Sequence, residues 1–158
     1  MDFEFVKNIK FVIVDVDGVL TDGTIYIDSQ GCETKAFSVL DGTGISYLHR
    51  VSIKTAIISG RNCNAVTHRA KELGIEDVYQ GIKNKLDAYN QLLEKYALRD
   101  EEICYIGDDL IDLPILYRVG FSVAVANASP IVKRRSDYVT KARGGYGAAR
   151  EVAEKILR

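Results

Sequence analysis

Cysteine is scarce and unpaired in this chain: Cys32, Cys63 and Cys104 are odd in number, widely spaced and form no C-x-x-C pair. That excludes a disulfide framework and a zinc ribbon, and fits reduced thiols in a cytoplasm. Only two prolines occur, and no Pro/Gly/Ser-rich linker, repeat or low-complexity segment interrupts the sequence. One domain is therefore expected over residues 1–158. No apolar run approaches the ~18 residues that a membrane span requires. The N-terminal MDFEFVKN carries acidic residues where an export signal would carry basic ones. An excess of one charge is also missing. Lys and Arg number 21 against 22 Asp and Glu, a net charge of −1, which gives no global attraction to nucleic acid or an anionic membrane.

What is present suits a soluble globular protein with one core. The 158 residues are 47% apolar and 27% charged, ordinary values for a globular domain. Positive charge gathers at the end: Lys133 to Arg158 has eight Lys/Arg and three Asp/Glu, a local +5. That stretch reads either as a solvated helix face or as part of an anion site.

Short apolar runs alternate with segments of helical period. Lys10–Val16 (KFVIVDV) has the β-branched and aromatic composition of a strand buried on both faces, and 54–58, 103–106 and 121–125 read the same way. Helices are expected near 44–51, 63–73, 85–96, 110–118 and 147–157. Such alternation predicts an α/β fold, a parallel sheet with helices on both sides, whose ligands bind beyond the carboxyl ends of the strands. One segment departs from it. TIYID (24–28) and TKAFS (34–38) flank Ser29-Gln30-Gly31 and read as a β-hairpin, over about 23–38, inserted after the first strand. Its exposed edges and apolar face need cover, which predicts an oligomer.

Polar residues cluster where the fold wants them. Strand one runs into Asp15-Val16-Asp17-Gly18-Val19. In extended chain, residues two apart face the same way, so both carboxylates are expected to face one cavity. Two carboxylates so close raise each other's pKa unless a cation lies between them. With one present, Asp15 can stay ionised as nucleophile while Asp17 cycles as acid and base. The segment is not a calcium-binding loop, since Val19 takes a ligand position. A metal-binding D-x-D and a set of turn caps both remain open readings of these residues.

Another strand ends in Gly107-Asp108-Asp109-Leu110-Ile111-Asp112, with Asp112 one helical turn beyond Asp108 and Asp109. A helix dipole accounts for Asp109 as a cap. Convergence of Asp15, Asp17, Asp108 and Asp112 calls for a hard cation with oxygen ligands, which favours magnesium. Ser59-Gly60-Arg61 places a hydroxyl, a flexible backbone and a guanidinium at the same sheet edge, though a surface turn fits equally. Lys85 opens a helix, where the dipole disfavours it, and so points to an anionic partner or to plain solvation. His49 and His68 read as structural or surface residues, and no dinucleotide fingerprint follows the first strand.

In this order, D-x-D-G-V, Ser59, Lys85 and G-D-D-x-x-D resemble the motifs of the haloacid dehalogenase superfamily of phosphatases. The resemblance implies a Rossmann-like fold with Asp15 as nucleophile and Asp17 as acid/base. It implies magnesium held by Asp15, Asp108 and the backbone carbonyl of Asp17, with Asp109 and Asp112 supporting, and Ser59 and Lys85 binding the phosphoryl group. From Val14 to about Glu151, DVDGVLTDG, FSVLDGTGI, ISGR, RAKELGI, KNKLDAY, GDDLIDLP and RGGYGAARE look like the 3-deoxy-D-manno-octulosonate 8-phosphate phosphatase family. That family is cytoplasmic, serves lipopolysaccharide precursor synthesis and forms tetramers whose hairpins meet. By that similarity Asp41, Gly42, Gly60 and Arg61 lie near the site, and a glycine-rich tail (143–158) with Arg143 helps enclose it, in its own or a neighbouring subunit. Residues 19–58 and 60–84 leave no room for a cap domain, so a capless form is expected, with a neighbouring subunit as cover.

Overall fold

A computed structural model describes residues 4–158, with side chains from Val6 onward. The first three positions of the stretch inspected for an export signal lie outside the described residues. A 3-10 turn over Glu4–Asn8 leads into β1 (Phe11–Val14), then the short β2 (Tyr26–Ile27) and β3 (Glu33–Thr34), and α1 (Val39–Arg50). There follow β4 (Lys54–Ile58), α2 (Asn64–Leu73), β5 (Asp77–Tyr79), α3 (Lys85–Tyr96) and β6 (Ile103–Gly107). The chain finishes with α4 (Leu113–Leu116), β7 (Phe121–Ala124), α5 (Pro130–Arg135), β8 (Tyr138–Val139) and α6 (Ala148–Ile156).

Six strands form one parallel sheet in the order β5-β4-β1-β6-β7-β8, and β2 pairs with β3 in a separate antiparallel hairpin. The chain leaves β1 in one direction to build β4 and β5, then returns to the other side of β1 for β6, β7 and β8. The order reverses between β1 and β6, so their carboxyl ends flank the switch point where such sheets bind ligands. β1 sits there because it can: Phe11, Val12, Ile13 and Val14 are at most 1% exposed. Burying each such side chain contributes about 1.5–3 kcal/mol.

The four long apolar runs are strands as the sequence suggests, but both sheet edges, β5 and β8, are missing from that reading. Three residues and two residues are too short to show any period. α1 starts at Val39 rather than Gly44, because Ser38 caps it by accepting from the Leu40 N–H at 3.2 Å. The expected helix over 110–118 is a 3-10 turn (Leu110–Asp112) followed by the four-residue α4. The hairpin ladder is narrower than expected, at Tyr26↔Thr34 and Ile27↔Glu33. Asp28 closes its turn, its carboxylate accepting from the Gln30 and Cys32 N–H groups at 2.8 Å each. Between β1 and β4 the chain holds only this hairpin and α1, and between β4 and α3 only α2 and β5.

Candidate active site

Asp15 is the first residue beyond β1, held by its N–H donating to the Ile106 carbonyl of β6 at 3.1 Å. Its carboxylate is 5% exposed as a residue and lies 3.0 Å from the Lys85 Nζ. Lys85 starts α3, where Asn84 caps the helix by accepting from the Leu86 N–H. It points inward to a second carboxylate, Asp112, at 2.7 Å. Asp112 is fully buried and engaged on both oxygens. One accepts from Lys85 and from the Tyr105 hydroxyl at 2.6 Å, the other from the N–H groups of Asp108 and Asp109 at 2.9 and 3.2 Å. With its acceptors filled, Asp112 is a support that fixes Lys85 and the turn carrying Asp108.

Asp15, Asp108 and Asp112 each bring a carboxylate oxygen within 4.8 Å of the other two. The electrostatics follow from crowding. Burial, with Asp112 adding repulsion and Lys85 opposing, pushes Asp15 up to about 6. Burial and the charges of Asp15, Asp112 and Asp109 push Asp108 up to about 7. Burial alone would lower Lys85, but Asp15 and Asp112 outweigh it and raise its pKa, so it is an ammonium at neutral pH. Among the described residues no hydrogen-bond donor is directed at the Asp108 carboxylate. Two carboxylates held above their ordinary range, Asp15 buried and Asp108 half-buried and without a donor, fit a divalent cation with oxygen ligands.

Gly18 is what allows this approach. Its φ is +89°, and a Cβ there would lie 2.2 Å from Asp108 Oδ2, so only glycine serves. Thr21 steadies the turn, its hydroxyl accepting from the N–H groups of Gly18 and Gly23 at 3.3 and 3.2 Å.

Asp17 does not share the Asp15 cavity contacts, contrary to the expectation from extended geometry. The chain turns after Asp15, and Asp17 pairs with Lys35 and stands 4.0 Å from the Arg61 Nε. Lys35 and Glu33 come from the hairpin, and Arg61 from the loop after β4. Ser59 is buried there, its hydroxyl oxygen accepting from the Arg61 N–H at 3.3 Å, while Gly60 is exposed. Asp109 is exposed and caps the 3-10 turn by accepting from the Leu110 N–H at 2.8 Å.

Asp41 and Gly42 each make contacts within the fold. Asp41 is buried, and its carboxylate accepts from the N–H groups of Gly147 and Arg150 at 3.1 Å each, capping α6 from α1. Gly42 makes room for Arg69, whose guanidinium would meet a Cβ at 2.5 Å. Arg143 is exposed, with no ion pair among the described residues. The glycines after it lie against their own chain's Gly18–Val19 loop: Gly145 N–H donates to the Val19 carbonyl at 2.9 Å. A cavity of about 300 Å³ between His49, Thr55, Asp77 and Tyr96 lies at the amino ends of β4 and β5, away from these carboxylates.

Sequence reading missed Lys35, Glu33, Tyr105 and also Asn127, whose side-chain amide donates to the Gly18 carbonyl at 2.9 Å. Lys35 reads in the sequence as an ordinary hairpin lysine, and its burial, at 9% exposed, appears only in the folded chain. Nothing in the spacing of the other three marks them.

Comparison with known proteins places this geometry. Residues 77–151 match the haloacid dehalogenase-like hydrolase family model. The chain is 51% identical, over 96% of its length and 80% of the relative's, to the 3-deoxy-D-manno-octulosonate 8-phosphate phosphatase KdsC of Escherichia coli K12. The crystal structure of the Yersinia pestis phosphatase of the same name superposes with a TM-score of 0.97 at 48% identity, covering 98% of this chain and 84% of that one. The Moraxella catarrhalis phosphatase, solved with magnesium, phosphate and KDO, gives 0.96 at 45% identity, covering 98% and 89%.

Proposed function

The chain belongs to the 3-deoxy-D-manno-octulosonate 8-phosphate phosphatases among the haloacid dehalogenase-like hydrolases, and from that premise we propose that it hydrolyses this sugar phosphate to Kdo and inorganic phosphate, with magnesium, in lipopolysaccharide precursor synthesis. The observation that carries the reading is the Asp15–Lys85–Asp112 array at the switch point, with Asp108 beside it. We assign Asp15 as the nucleophile. Its carboxylate attacks phosphorus in line, forming an aspartyl-phosphate as the sugar oxygen departs. Lys85 keeps Asp15 ionised despite its burial and donates to the phosphoryl oxygens as charge develops on them. Asp17 gives its proton to the leaving oxygen and then takes one from the water that cleaves the intermediate. The Ser59 hydroxyl and the Gly60 backbone bind the phosphoryl group, and the Arg61 guanidinium takes the sugar carboxylate.

Magnesium fits the carboxylates of Asp15 and Asp108 and the backbone carbonyl of Asp17, with Asp109 and Asp112 supporting. When bound it offsets charge on the phosphoryl oxygens and on the paired carboxylates. Metal-dependent phosphate release from a panel of phosphate esters tests the assignment. Preference for another sugar phosphate would move the substrate, and no release from any ester would leave only a non-catalytic module.

The reading extends to one domain over 1–158 working in the cytoplasm as a homotetramer. Ile25, Tyr26 and Ile27 on the hairpin and Val39 and Leu40 at the start of α1 are 46–78% exposed, an apolar surface suited to burial against other copies. Among the described residues no helix is long and apolar enough to cross a membrane. Light scattering on the purified protein reads the oligomer, and a monomeric mass at full activity would refute it.

A further inference from the structure

Four charged side chains form a closed ring beside the nucleophile. Asp17 pairs with Lys35, and Lys35 lies 2.8 Å from Glu33 Oε1. Glu33 Oε2 lies 2.7 Å from Arg61, whose Nε returns to Asp17 at 4.0 Å. Two cations, Lys35 and Arg61, alternate with the carboxyl groups of Asp17 and Glu33. Its members differ in freedom. The Lys35 side chain is 1% exposed and fixed between two anions, whereas that of Arg61 is 46% exposed at the open edge. The Lys35 ammonium 2.8 Å from Oε1 and the Arg61 hydrogen bond hold the Glu33 carboxyl below its usual range, so it is ionised at neutral pH.

We propose that Glu33 is a positioning residue that competes with the sugar acid's carboxylate for Arg61, yielding to the phosphorylated substrate and expelling the dephosphorylated product. This rests on the reading that the substrate is a sugar acid phosphate. A carboxylate and a guanidinium make a matched fork, and Glu33 takes only one N–H of Arg61, on Nη2. An incoming carboxylate that forks onto Arg61 contends for the Nη2 that now donates to Glu33. Glu33 can yield without being stranded, since its other oxygen keeps Lys35. A solvent-exposed Arg–Glu contact contributes little by itself, so the exchange is governed by what else the ligand binds. The phosphorylated sugar is anchored by Lys85, Ser59 and the metal site, and outcompetes Glu33. After hydrolysis the sugar acid keeps only its carboxylate, Glu33 recovers Arg61, and the ring closes behind the product.

The test is the Glu33→Gln variant, which preserves shape and removes the charge. Free Kdo, added as product inhibitor, should inhibit it three- to tenfold more tightly than the parent, with KM for Kdo 8-phosphate falling by a similar factor. Turnover of p-nitrophenyl phosphate, which has no carboxylate, should stay within twofold. Unchanged or weaker inhibition by Kdo would overturn the proposal and leave Glu33 as a brace for Arg61. An equal change with p-nitrophenyl phosphate would overturn it too, as a general disturbance of the site. Should Glu33→Gln fold poorly, Glu33→Asp, one methylene shorter and unable to reach Arg61 in the same pose, gives the same comparison. If the parent enzyme does not hydrolyse Kdo 8-phosphate, the substrate assignment fails by itself. Inhibition of p-nitrophenyl phosphate turnover by Kdo, parent against variant, still reads the exchange.

Discussion

Gly144 and Gly18 are in backbone contact: a Cβ built on Gly144 would lie 1.7 Å from the Gly18 carbonyl oxygen. Asn127 ties the two together, donating to that carbonyl at 2.9 Å and accepting from the Gly144 N–H at 2.6 Å. The glycine-rich segment therefore braces the loop that carries the proposed acid/base, within one chain.

Gly144→Ala should displace that loop. Overpacking of this kind costs about 1–3 kcal/mol, and kcat/KM should fall by at least about 10², because small misplacements at reacting groups are costly. Gly31→Ala is the control. It has open space around it and a φ of +80°, so it should lose about 1–2 kcal/mol through backbone strain alone and keep its kcat/KM. Thermal melts and steady-state kinetics on both variants check the contrast.

Asp15→Asn should abolish turnover with the fold intact, since an amide is a poor nucleophile. Trace activity alone is expected in a phosphate-release assay, and substantial turnover would remove Asp15 from its role. Asp17→Asn should cut turnover by roughly 10²–10⁴, the usual worth of a positioned acid/base.

Lys85→Met leaves Asp15 and Asp112 facing each other without their shared cation. Losing one partner of a buried pair costs about 3–5 kcal/mol, so denaturant titration should show a loss of that order together with loss of activity. Lys85→Arg should recover part of the stability by restoring charge.

Asp15 and Asp108 give the metal-free protein a signed pH dependence. Their folded pKa values, about 6 and about 7, stand above the ordinary 3.8. The folded state therefore holds more protons than the unfolded one between these values, and stability falls as pH rises from about 4 to 7. Magnesium must displace those protons, so its affinity should rise with pH through 6 and 7. At 100-fold excess over its dissociation constant it should add about 2.7 kcal/mol, or about 5–10 °C for a chain of this size. The melting shift should be larger at pH 8 than at pH 5.5, and an equal shift at both would contradict the linkage.

Asp41→Ala removes the cap that α1 supplies to α6. Loss of such a cap costs about 0.5–2 kcal/mol, seen as a lower melting temperature, while kcat/KM should change little. A large loss of activity with no loss of stability would return Asp41 to the site.

The sheet was legible because its central strands are continuous apolar runs, and the motif residues at their ends have few other uses. Asp15, Asp108 and Lys85 could be nominated from chemistry before any geometry was known. The edges were not legible: β5 and β8 have no periodicity and exist because a neighbouring strand offers them a partner. The Ser38 cap moved the start of α1 five residues earlier than expected, which places Asp41 inside the helix.

Composition and spacing alone determined the fold class, the sheet edge where the carboxylates gather, and the need for a cation there, because strand burial and charge repulsion are properties of short segments. Tertiary structure alone decided the partners. That Asp17 pairs with Lys35, that Asp112 holds Lys85 and that Asp41 caps α6 depend on which distant segments come together. Those contacts are made between residues far apart in the chain, where local spacing has no hold on side-chain direction.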